Sequence, residues 1–133
     1  MNAYERLLKY VVIRTPSNEE SETTPSSQCQ FDLANVLKKE MEELGICDVT
    51  LTDTCFLYGK IPATPGCENA PAIGFIAHMD TVSDYCDHDI KPMITENYDG
   101  EALALGESEL VLSPEMFPHL KTLKGRTLIT SDG

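Results

Sequence analysis

The sequence predicts an α/β fold, a sheet flanked by helices, and three observations carry that expectation. Two stretches with helical apolar spacing open the chain. The period then shortens into strand-like segments. A continuous apolar run, Ala72-Ile73-Gly74-Phe75-Ile76-Ala77, follows without polar alternation. A run of that kind suits a strand covered on both faces, as at the centre of an α/β sheet.

Tyr4, Leu7, Leu8, Val11 and Val12 recur at helical spacing, so residues 2–14 read as an amphipathic helix. Pro16 ends it, because a proline lacks the N–H that helix continuation requires. Residues 15–27 are rich in Ser, Thr, Glu and Pro and read as a surface loop. A second helix is expected from Ser26 or Ser27, either of which could cap it, to Leu44. Its buried stripe would be Phe31, Leu33, Ala34, Leu37, Met41 and Leu44, and Gly45 fits a left-handed stop.

Val49 to Thr52 and Phe56 to Ile61 are short candidate strands about the turn-prone Asp53-Thr54, and residues 62–70 are a loop. After the apolar run, residues 83–101 are mixed and acidic. Leu103 to Leu105 and Leu110 to Leu112 could form a small hairpin, and Ser113-Pro114 and Phe117-Pro118 break the chain after it. Arg126 to Thr130 reads as a last strand. No internal repeat is visible.

The 133 residues suffice for one ordinary domain, and a composition 41% hydrophobic and 24% charged is globular. The net charge of −12 disfavours both nucleic acid and an anionic membrane surface. No segment approaches the ~20 apolar residues that span a bilayer. The N-terminal residues lack a secretory apolar region. Cys29, Cys47, Cys55, Cys67 and Cys86 are odd in number and contain no Cys-x-x-Cys pair, which points to unpaired thiols in the cytoplasm.

Chemistry gathers at His78-Met79-Asp80-Thr81, directly after the apolar run. In α/β sheets ligands bind beyond the carboxyl ends of strands. Residues i and i+2 of an extended segment share a side, so His78 and Asp80 can face one pocket. Imidazole is a common zinc ligand, and a carboxylate can hold its ring in orientation. Spacing alone is weak evidence, however, and a hydrogen-bonded histidine at a strand end is the simpler account of it.

The run from Pro71 to Thr81 resembles the first metal motif of the peptidase T family. These are tripeptide aminopeptidases within the larger zinc peptidase family that includes carboxypeptidase G and the aminoacylases. Glu96-Asn97-Tyr98 to Gly106, and Leu112-Ser113-Pro114-Glu115-Met116-Phe117-Pro118, resemble segments of the peptidase T branch that the wider family lacks. Thr127 to Gly133 is similar to the strand leading into the second metal motif.

The resemblance covers essentially the whole chain and implies a partial three-layer α/β/α zinc-peptidase catalytic domain with a mixed sheet. Residues 1–133 would be its N-terminal part, the rest of that domain and a dimerisation domain lying outside. His78 would be a ligand of one of two zinc ions, and Asp80 the catalytic carboxylate that steadies its ring. The implied reaction is release of the N-terminal residue of a tripeptide by metal-activated water. The family's remaining ligands and general base would lie beyond residue 133, so these residues alone are expected to be inactive and not to hold zinc stably.

Two other readings compete. A related zinc carboxypeptidase or deacylase would share His78 and Asp80 but not the 112–118 segment. A non-catalytic α/β module would self-associate, as a homo-oligomer, through an exposed sheet edge. Asp87-His88-Asp89 and the acidic Glu19, Glu20 and Glu22 read as solvated loops, and His119 as an ordinary histidine in a short helix. Ser113 lacks a nucleophile elbow, and no phosphate-binding glycine loop is present.

Overall fold

The structure, a computed structural model, describes residues 1–85 and 89–132. The elements in order are α1 (Ala3–Tyr10), α2 (Gln30–Glu43), β1 (Cys47–Leu51), β2 (Leu57–Lys60), β3 (Met93–Thr95), β4 (Leu103–Ala104), β5 (Val111–Leu112) and β6 (Leu128–Thr130). Short 3₁₀ turns cover Ser83–Tyr85 and Pro118–Leu123. The chain divides into two compact units, Ile13–Asp87 and a discontinuous one of Met1–Val12 with His88–Gly133.

In the continuous unit, α2 packs on the β1–β2 hairpin. Leu33 and Ala34 are its buried apolar residues, as expected, whereas Leu44 is 57% exposed. The helix starts later than the sequence predicts, and neither Ser26 nor Ser27 caps it. Cys29 occupies the cap position without a side-chain bond, and the Ser26 hydroxyl instead accepts the Asn18 N–H at 3.1 Å. The C-terminus ends as expected. Gly45 takes φ +77°, its N–H bonds the Glu42 carbonyl and that of Ile46 reaches back to Met41, both at 3.0 Å. These two bonds form a Schellman motif, which satisfies carbonyls that the helix end would leave open.

β1 and β2 pair antiparallel, with Thr50 opposite Tyr58 and Leu51 opposite Leu57, and an irregularity between Cys47 and Thr50. Asp48, at φ 54°, lies in that irregularity. Gly59 explains the close helix–hairpin approach: a Cβ there would overlap the Met41 methyl and lie 2.6 Å from Ile46 Cγ2.

In the discontinuous unit, α1 is shorter than the expected 2–14. The Glu5 carboxylate accepts the Asn2 N–H at 2.5 Å at its start. None of its residues is buried, and Tyr4 and Leu7 remain about half exposed. The expected last strand, β6, pairs antiparallel with β3, with Ile94 opposite Ile129. β3 lies within the acidic stretch where no strand was anticipated. The β4–β5 hairpin is present as expected, Leu103 facing Leu112. Tyr98 and Leu120 are the buried apolar residues here. Tyr98 is held on both main-chain sides, its N–H bonding Arg126 O at 2.9 Å and its carbonyl accepting Gly125 N–H at 2.7 Å.

The principal correction concerns residues 72–77. They form no strand and have no ladder partner, and Ile73, Phe75 and Ile76 are 81%, 94% and 100% exposed. A strand hidden on both faces needs neighbouring strands and covering helices, and the described residues supply neither to this run. All three sheets are two-stranded and antiparallel, so the mixed sheet is absent among the described residues. The coarser α/β class stands: helices with short antiparallel sheets. No described helix is long and apolar enough to cross a membrane.

Candidate metal centre

His78 and Asp80 lie at the end of the unpaired segment, residues 71–80, that contains the apolar run. The His78 ring reaches forward along the chain. Its Nδ1 lies 2.8 Å from the main-chain oxygen of Asp80 and 3.3 Å from Oδ1 of the same residue. A carbonyl oxygen only accepts, so Nδ1 must carry the proton. In the neutral ring Nε2 then keeps its lone pair. The side chains are 85% and 45% exposed, so neither is locked into a core. Their ion pair, formed only when the ring is protonated, is weak at such exposure.

This arrangement has the form of a ligating histidine: one ring nitrogen donates to oxygen and fixes the tautomer, while the other has no partner among the described residues. Zinc takes about four donors, and a catalytic site draws at least three of them from protein. Among the described residues no group of three or more His, Cys, Asp or Glu side chains could hold a metal ion. The described residues therefore fit zinc as a source of one imidazole with its supporting oxygens.

One feature left no signal in the sequence. Thr81, next to Asp80, forms a parallel bridge with Pro16. Its N–H bonds Thr15 O and its carbonyl accepts the Ser17 N–H, both at 2.9 Å. Ser17 and Thr81 are 64 positions apart, too far for any local pattern to announce the pairing.

The other weighed residues have settings of their own. Glu19, Glu20 and Glu22 are exposed, as expected of a solvated loop. His119 is exposed and sits edge-on to Phe117 with ring centres 6.4 Å apart. The Ser113 hydroxyl accepts the Glu115 N–H at 3.1 Å, which is a turn role. Asp87 and His88 lie outside the described residues, as does Cys86. Cys29, Cys47, Cys55 and Cys67 are free thiols, and burial pushes the Cys55 thiol pKa up.

No protein-family model matches the chain. It is similar to curated proteins named peptidase T. It is 46% identical to that of Alkaliphilus oremlandii across 99% of the chain and 33% of the relative. The figures are 49%, 97% and 31% for Desulfitobacterium hafniense, and 43%, 97% and 32% for Bacillus cereus. The chain thus spans about a third of the length of the curated relatives it matches.

Proposed function

We propose that this chain, a homologue of peptidase T along nearly its whole length, forms part of a zinc-dependent tripeptide aminopeptidase and contributes one metal ligand to it. The observation that carries the proposal is the His78 ring, with Nδ1 bonded to Asp80 and Nε2 open, at the end of the segment that resembles a metal motif.

In this reading His78 Nε2 would hold one of two zinc ions. The Asp80 carbonyl keeps the proton on Nδ1, and the Asp80 carboxylate restrains the ring. Zinc supplies a Lewis acid that polarises a carbonyl and acidifies water near neutral pH. The other donors and the general base come from outside these residues, as does most of the three-layer α/β/α domain. Alone, the chain has no peptidase activity and no stable zinc site. Short peptides are the substrates, and unpaired cysteines suit a cytoplasmic location.

The test is a hybrid in which residues 1–133 replace the aligned third of the Desulfitobacterium hafniense relative. It is expected to release N-terminal residues from tripeptides, to be inhibited by chelator, and to lose activity by at least about 10²-fold with His78→Ala. Full activity of His78→Ala would remove the ligand role. Release of C-terminal residues or acyl groups would favour the carboxypeptidase or deacylase reading. Chelator-sensitive tripeptide hydrolysis by the purified 133-residue chain would refute its inactivity.

The exposed Ile73, Phe75 and Ile76 favour a second reading for the isolated chain, self-association through unpaired extended backbone. Sedimentation tests it, and a monomer at high concentration and high salt would end it.

A further inference from the structure

The segment bearing His78 has no ladder of its own between residues 71 and 80, and a largely exposed ring gains little orientation from packing. Its direction must be set by the main chain at its nearest anchor. That anchor is Thr81. Its N–H is taken by Thr15 O and its carbonyl by two donors of Ser17, the N–H at 2.9 Å and the hydroxyl at 3.1 Å.

Pro16 is opposite Thr81 in this parallel bridge. There the residue facing the doubly bonded one points its own N–H and carbonyl away, so the missing proline donor costs nothing. The outward Pro16 carbonyl meets Gln30, whose Nε2 donates to it at 3.4 Å and to the Ser26 hydroxyl at 3.3 Å. Gln30 is the first residue of α2 and is 8% exposed, and Thr15 is 3% exposed. A partly buried chain of contacts therefore leads from the helix to the loop and on to the residue beside Asp80.

We propose that Thr15, Pro16 and Ser17, tied to α2 by Gln30, form a clamp that fixes the register and direction in which His78 is presented. Ser17 and Gln30 are thus positioning residues. A slip of one residue at Thr81 would turn His78 and Asp80 to the opposite side, which is why a register lock matters here. The functional meaning rests on His78 being a ligand, while the clamp itself is a property of this chain.

The experiment uses the whole 133-residue chain and three variants, Ser17→Ala, Gln30→Leu and Ser17→Thr. Amide exchange at Ser17 and Thr81 is followed by NMR, with the χ1 couplings of His78 and its ring contacts to Asp80. Ser17→Ala and Gln30→Leu are expected to speed exchange at both amides about tenfold and to average the His78 couplings, while central α2 amides keep their protection. Ser17→Thr, which keeps the hydroxyl, is expected to preserve both signatures.

Unchanged exchange and couplings in Ser17→Ala would overturn the clamp. That variant leaves α2 untouched, so it decides the matter even where Gln30→Leu disturbs the helix. The outcome is independent of the ligand role: an active His78→Ala hybrid would remove that role and leave the clamp measurement standing.

Discussion

His78 Nδ1 is closer to the Asp80 carbonyl oxygen, at 2.8 Å, than to the Asp80 carboxylate, at 3.3 Å. The tautomer and the ring orientation therefore have separate supports within one residue. Removal of the carboxylate leaves the main-chain acceptor in place. Asp80→Ala is expected to keep the Nδ1–H tautomer of the neutral ring while the ring gains rotational freedom. Imidazole nitrogen chemical shifts report the first and relaxation of the ring the second. A switch to the Nε2–H tautomer in this variant would show that the carboxylate carries both.

Two glycines next to α2 should respond to the same substitution for different reasons. Gly45 adopts φ +77° with nothing within 4 Å of an added Cβ, so Gly45→Ala carries only backbone strain, about 1–2 kcal/mol. At Gly59 the added methyl meets Met41 and Ile46, and overpacking of about 1–3 kcal/mol is expected. Met41→Ala opens room, so it should recover part of the loss at Gly59 and none at Gly45. Denaturant midpoints of the singles and doubles check this.

The thiols should separate by reactivity. Cys47 and Cys67 are exposed, whereas Cys55 is 6% exposed with its pKa raised by burial. Thiolate is the reactive form, so alkylation at neutral pH should modify Cys47 and Cys67 at least about tenfold faster than Cys55. Peptide mapping after timed quenching measures the order. Equal rates would mean that the β1–β2 loop opens readily.

The Tyr98 phenol pKa is raised by burial first, with the charges of Asp99 and Glu101 adding to it, and its hydroxyl donates to the Glu101 carbonyl. The folded state thus holds this proton to higher pH than the unfolded chain does. The associated stability is complete below the ordinary tyrosine pKa of ~10 and is lost as pH rises through the folded value. Tyr98→Phe is expected to lower stability at neutral pH and to flatten the alkaline decline. Denaturation midpoints at neutral and alkaline pH, with phenolate absorbance, test both.

Local chemistry carried most of what the sequence could reveal. Gly45, the Asp53-Thr54 turn and the 103–112 hairpin depend on neighbours a few residues away, and each appears as expected. The apolar run at 72–77 departs from the expected strand because its hydrophobicity describes a need for cover, and cover comes from distant chain. β3 leaves no sequence signal for the converse reason: Met93–Thr95 is short, lies among acidic residues, and becomes a strand only by pairing with Leu128–Thr130. The His78–Asp80 pair was legible because two positions suffice to define it. The Thr81–Pro16 bridge was not, because nothing near either residue encodes the other.

The discontinuity of one compact unit has a consequence during synthesis. Met1–Val12 leave the ribosome well before His88–Gly133, the residues with which they group. At the usual ~5–20 residues per second, the intervening residues take roughly 4–15 s to emerge. The nascent α1, with Tyr4 and Leu7 uncovered, must wait through that interval, while Ile13–Asp87 can consolidate as soon as they are free. Vectorial translation thus favours Ile13–Asp87 over the segment that precedes them.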